Sequence, residues 1–134
     1  MACIGILTRI GRSILPRLLG DSTKPHMLWV AWGTGETTAT DSDVALGGEQ
    51  FREAFVPTIS GAKFTCVHLF TSAVTEAQDG LEWAEIGILD ALVGGNLIWR
   101  GLLSTDGVIP QTKTLEEGDT LYTTIQFKII QGTW

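Results

Sequence analysis

Three stretches of the chain hold residue types that could do chemistry. Gly33-Thr34-Gly35-Glu36-Thr37-Thr38 is rich in glycine and hydroxyl groups, as phosphate-cradling loops are. Such a loop needs a lysine to reach the phosphate oxygens. No lysine occurs between Lys24 and Lys63, so the segment reads as a turn leaving a strand. Asp41-x-Asp43 offers two carboxylates of the kind calcium takes. Glu49 stands eight residues past Asp41, which is not where a bidentate closing glutamate must fall. A solvated loop is the simpler reading. Glu82 with Glu85, and Glu116 with Glu117, are the carboxylate pairs that general acid–base catalysis would use. Fifteen acids on 134 residues bring such pairs together by chance. On a strand, Glu82 and Glu85 would also point to opposite faces. His26 and His68 assemble no nucleophilic triad, and no GxSxG elbow is present. No catalytic, cofactor-binding or metal-binding residue is assigned, and an enzyme is not expected.

The elements that would position these residues are short strands set off by glycine-rich turns. Met27–Trp32 is a compact apolar run ending at Gly33, and residues 36–48 have no helical period and read as a loop. Gln50–Ser60 alternates around Phe51, Phe55 and Ile59, with Pro57 interrupting. Lys63–Ala73 is apolar on both alternating sides, which predicts a central strand holding Cys66 and His68 in the core. Trp83–Asp90 and Asn96–Ser104 predict a hairpin, because Gly94-Gly95 between them accept positive φ. After an acidic turn at Leu115–Asp119, Thr120–Gln131 is the last strand. The whole predicts an all-β fold, an antiparallel β-sandwich of jelly-roll-like form.

Residues 1–26 read differently. Ile4, Leu7, Ile10, Ile14 and Leu18 recur at helical steps, with Arg9, Arg12 and Arg17 between them. Pro16 should end or kink a helix begun near Ile4, and Gly5, Gly11 and Gly20 weaken it further. This predicts a partly helical basic arm, 1–26, ordered by docking on a partner, ahead of a β-domain, 27–134. The contacting residues would be Ile4, Leu7, Arg9, Ile10, Arg12, Ile14, Arg17 and Leu18. The arginines interrupt the apolar run that an export signal requires. An amphipathic helix lying on a membrane surface stays open as an alternative.

Charge and composition narrow the function classes. The arm holds four basic side chains against one acid, a balance of +3, and residues 27–134 hold five against fourteen, a balance of −9. An acidic body repels phosphate and argues against nucleic acid, while the basic arm would favour an acidic neighbour. No uncharged apolar run of about 18 residues occurs, so no spanning helix is expected. Cys3 and Cys66 form no CxxC pair, which favours a reduced cytosolic origin, and with two histidines they fall short of a zinc site. Apolar residues make up 44% of the chain, enough for one core without metal or disulfide.

Taken in order, several motifs resemble a group of small bacteriophage virion proteins. They are Trp-Gly-Thr-Gly at 32–35, Asp-x-x-Leu-x-x-Glu at 43–49 with Arg52 after it, and Glu-x-Gly-x-Leu-Asp-Ala at 85–91. Gly-Gly-x-Leu-x-x-Arg at 94–100 and Lys-Thr-Leu-x-x-Gly-Asp-x-Leu at 113–121 complete the series. The resemblance covers about residues 28–130. It implies a virion β-sandwich made in the bacterial cytoplasm and carried on the capsid surface. There it would act as a cement or decoration subunit that bridges major capsid proteins and associates with copies of itself. A tail, fibre or baseplate adaptor is the second role it allows, and a glycan-binding sandwich using exposed tryptophans is a third reading. No catalytic residue carries over, and neither a membrane nor a small-molecule substrate is implied. Independently of the resemblance, Glu85 and Arg100 on the two arms of the expected hairpin have two readings open: an ion pair across the strands, or two solvated charges.

Overall fold

The computed structural model describes residues 2–20, 27–56, 58–60, 63–70, 75, 78–119 and 121–128. It is built mostly of antiparallel β-sheet with one helix: β1 (Ala2–Leu7), α1 (Arg9–Gly20), β2 (Leu28–Gly33), β3 (Glu49–Phe55), β4 (Thr58–Ser60), β5 (Lys63–Phe70), β6 (Glu82–Trp83), β7 (Glu85–Leu89), β8 (Leu97–Ser104), β9 (Lys113–Thr114) and β10 (Leu121–Lys128). A five-stranded sheet has the order β1-β8-β7-β2-β3, a three-stranded sheet the order β10-β5-β4, and β6 pairs with β9. The all-β expectation holds, and so do the loop over residues 36–48 and the central position of the strand at Lys63–Phe70. The Cys66 and His68 side chains lie outside the described residues, as do Pro57, His26 and Trp134.

The expected hairpin is β7–β8, in register from Glu85↔Leu102 to Ile88↔Trp99, with a bulge at Ile88/Leu89. Gly94 and Gly95 turn it with φ of 62° and 80°, values a side chain would strain. Every residue of β7 and β8 is buried, so this central pair is covered on both faces. On one face Val30, Trp32, Ile86, Ile88, Trp99 and Leu103 form the main core, joined by Trp83 and Leu115 and flanked by Phe51 and Phe55. On the other, Ala31, Leu89 and Leu97 meet Leu46, which arrives from the 34–48 loop. That loop is therefore the lid of the second face.

The amino-terminal segment departs from the helical expectation. Ala2–Leu7 is not helix; it pairs along its whole length with β8, from Ala2↔Ser104 to Leu7↔Trp99. The local period that suggested a helix is weak across Gly5, and a long complementary strand outweighs it. The helix starts one turn later, where Thr8 caps it. The Gly11 amide donates to Thr8 Oγ1 at 2.9 Å, and the Arg12 amide donates to the Thr8 carbonyl at 2.9 Å. Thr8 is itself buried, with its hydroxyl against the Leu97 and Ile98 carbonyls. Pro16 does not end the helix, which runs on to Gly20. A proline deprives only the carbonyl four residues earlier, Arg12's, of its helical donor.

Candidate functional site

Of the residues singled out for chemistry, residues 33–38, Asp41, Asp43 and Glu85 converge on the lid loop, while Glu116 and Glu117 lie apart from it beside Asp119 and Asp79. Glu85 lies on β7 with its side chain fully buried. Its Oε1 accepts from the amides of Gly35 (3.0 Å) and Gly48 (2.7 Å), and its Oε2 from the amide of Gly47 (3.0 Å). Arg100, one strand over on β8, completes the set by donating from Nε to Oε2 at 2.8 Å. The two ends of the loop are thus tied to one carboxylate. Gly33 and Gly35 allow this approach, since a Cβ there would stand 2.5 and 2.6 Å from Oε1. Arg100 continues outward, donating to Asp43 Oδ2 at 3.1 Å and to Thr37 Oγ1 at 3.2 Å.

Asp43 is used internally rather than offered to a cation. Its Oδ2 also accepts from the Thr40 amide at 2.9 Å, and its Oδ1 from the Thr40 hydroxyl at 2.8 Å. Burial pushes this carboxyl up, but the Thr40 bonds and Arg100 outweigh it and hold it below its ordinary value. Arg52 ties a second junction. It forms a two-pronged pair with Glu49 (2.9 and 2.7 Å) and donates from Nη1 to the carbonyls of Ala91 (2.6 Å) and Gly94 (2.9 Å) in the hairpin turn. Of the two readings of Glu85 and Arg100, the ion pair is realised, and the work it does is to fasten a loop. Glu82, the other carboxylate of the Glu82–Glu85 pair, is exposed on β6.

Asp41, at the loop tip, meets the basic helix. Arg9 Nε and Arg12 Nη2 each lie 3.2 Å from its Oδ2, and the Arg9 amide donates to the Asp41 carbonyl at 2.8 Å. The hydrogen bond from Arg9 chiefly holds the Asp41 carboxyl below its ordinary value. The basic segment therefore finds an acidic neighbour in its own chain. Between this helix end, the loop tip and residues 95–97 runs an open groove of about 380 Å³, with Ile10 and Val44 on its lining. Ile10, Val44, Leu92 and Val93 are exposed by 44 to 85%. No helix among the described residues is long and apolar enough to cross a membrane.

The expected arm residues divide accordingly. Ile14 is buried in the main core and Leu7 packs against it, so both face the chain's own sheet. Gly11 lets the helix lie on β8, where a Cβ would collide with the Ile98 carbonyl. Arg9, Ile10 and Arg12 are exposed. Ile4 lies in β1 and Arg17 and Leu18 in α1, with side chains outside the described residues. Of the tryptophans, Trp32, Trp83 and Trp99 are buried and Trp29 is half-buried. Sequence reasoning missed Thr8 as a helix cap and Asp41 as the partner of the arginines. The first had a signal in a threonine standing before the arginine-rich turn, while the second joins residues about thirty positions apart and had none. No protein-family model matches the chain, and neither a curated protein nor a solved structure matches it.

Proposed function

We propose that this chain is a structural subunit of a bacteriophage particle, a capsid cement or decoration protein, and that it is no enzyme. One observation carries the reading. Five charged residues of the motif series, Asp43, Glu49, Arg52, Glu85 and Arg100, bond within the chain and fasten one loop and one turn. Apolar side chains meanwhile stand exposed around the helix end and the hairpin tip. Such a body suits a rigid platform that binds protein, since clustered exposed apolar groups mark interaction surfaces.

In this reading the five- and three-stranded sheets are layers of a jelly-roll-like sandwich. The exposed part of the basic arm, Arg9, Ile10 and Arg12, meets the major capsid protein together with Val44. Leu7 and Ile14 hold the helix in place from beneath. Many copies, each weakly held, bridge neighbouring shell subunits and gain strength through avidity, and copies of the chain also associate with one another. Quantitative mass spectrometry of purified particles tests this. A ratio to the major capsid protein near one supports the cement role. A ratio of a few per cent moves the chain to a tail, fibre or baseplate, and absence from particles overturns the reading. Deleting residues 1–20 is a poor follow-up because it removes a sheet strand, whereas Ile10→Asp changes an exposed residue and should lower capsid occupancy without loss of fold.

A further inference from the structure

The five-stranded sheet has two edges of opposite character. β3 carries Glu49, Arg52 and Glu53, and its pairing with β2 shifts register at Trp32/Gly33. Charges and irregular register are what protect an edge from pairing with another chain. Placing β3 against β3 of another copy would set Glu49 opposite Glu53 twice over when centred on Phe51, and Arg52 opposite Arg52 when centred on Arg52, both of which are repulsive. At the other edge, β1 is Ala-Cys-Ile-Gly-Ile-Leu, without a charge, a proline or a register shift. Gly5 and Ile6 on it are exposed, and among the described residues no strand pairs with its outer side.

The hydrogen-bond directions along β1 follow from two flanking bonds. The Thr8 amide donates to the Ile98 carbonyl at 3.0 Å, so Thr8 points its backbone groups at β8. Leu103, opposite Cys3, points away from β1, donating to the Ala84 carbonyl at 2.9 Å and accepting from the Gln111 amide at 2.8 Å. Backbone direction alternates along an antiparallel strand. Ala2, Ile4 and Ile6 therefore bond β8, and Cys3, Gly5 and Leu7 direct their amides and carbonyls outward.

We infer that β1 is a self-association edge, pairing antiparallel with β1 of a second copy about a two-fold axis at Gly5. Opposed residues in a sheet share a face, so the register must match odd with odd and even with even. Centring on Gly5 sets Gly5 against Gly5, Cys3 against Leu7 and Ile6 against Ile4, which uses the outward groups of all three odd residues. Centring on Ile4 sets Leu7 against a position outside β1 and so uses fewer of the strand's outward groups. Charge agrees with this register. β8 of the second copy then runs parallel to β1 at two strand spacings, about 10 Å. Arg9, just past the end of β1, comes level to within a residue with Asp106, just past the end of that β8. Arg9 and Arg12 share one Asp41 oxygen and so present surplus positive charge. Asp106 is exposed and accepts from Ser104, Val108 and Ile109 on Oδ1. Beside the edge an open groove of about 430 Å³, lined by Ile6, Leu102, Val108 and Pro110, receives apolar side chains.

This deepens the self-association named above and is independent of the phage assignment. The test is amide hydrogen exchange on the full chain, read with sedimentation velocity over about a hundredfold range of concentration. Dimer should form as concentration rises, and the Cys3, Gly5 and Leu7 amides should gain protection with it, while those of Ile4, Ile6 and Thr8 stay protected throughout. Ile6→Lys, at an exposed position, should weaken the dimer by about tenfold through lost apolar contact. Gly5 itself is unsuitable for substitution because a Cβ there would fall inside the Trp99 ring. A dimer in which the three odd amides show no dependence on concentration overturns the β1 edge and leaves self-association standing. A chain that stays monomeric overturns both, without bearing on whether it is a virion protein.

Discussion

Replacing Glu85 by glutamine probes the fastening of the lid loop. The carboxylate accepts from three backbone amides and Arg100 Nε, two donors on each oxygen. A glutamine keeps one acceptor oxygen and turns its NH2 toward the other pair, so two donors lose their acceptor whichever way the amide is set. Breaking a buried ion pair from one side costs about 3–5 kcal/mol because a charge is left uncompensated. Arg100 retains Asp43 at 3.1 Å, which places Glu85→Gln at the lower end, about 3 kcal/mol. Arg100→Met keeps the three amides on the carboxylate but leaves that buried charge without its counter-ion and removes the bonds to Asp43 and Thr37, so it should cost at least as much, about 3–5 kcal/mol. For a chain of this size, about 3 kcal/mol lowers the melting temperature by about 10 °C. Calorimetry or urea unfolding of the two variants reads the magnitudes. Amide exchange at Gly35, Gly47 and Gly48 shows whether the loop ends are released. A Glu85→Gln protein melting within about 2 °C of the parent would refute the reasoning, as would an Arg100→Met protein doing so.

Two other outcomes follow from the geometry. Thr8→Ala removes a buried hydroxyl that caps α1 and bonds the β8 carbonyls, and should cost about 1–2 kcal/mol in thermal unfolding; Thr8→Ser should recover most of it, and equal losses in both variants would point to packing instead. Asp41, Asp43 and Asp106 titrate below their ordinary value when folded, Asp106 chiefly because the Ile109 and Val108 amides donate to it. A depressed folded pKa contributes stability that is present above the unfolded value, about 4, and lost as pH falls through the folded value. The urea midpoint should therefore decline below about pH 4, and Asp41→Asn should make that decline shallower; an unchanged acid limb in the variant counts against the Arg9–Asp41–Arg12 contact.

By itself the sequence determined the elements that a local pattern marks. A compact apolar run marked the strand at 28–33, alternation those at 63–70 and 121–128, and adjacent glycines the β7–β8 turn, because such patterns are written in neighbouring residues. The hairpin also made a Glu85–Arg100 pair possible, and the structure places the two diagonally, Glu85 opposite Leu102 and Arg100 opposite Gly87. Tertiary structure alone decided the rest. Residues 2–7 carry a spacing compatible with helix, and only the presence of β8, about ninety-five residues later, makes them a strand. Helical spacing likewise marked Ile14 for a partner, yet the cap at Thr8 and the close seat of Gly11 turn it into the chain's own core. Glu85 is a catalytic-looking residue in sequence and a loop fastener in space, since its role depends on three amides 37 to 50 positions away. Periodicity reports which face of an element is apolar; what covers that face is settled by contacts between residues distant in the chain.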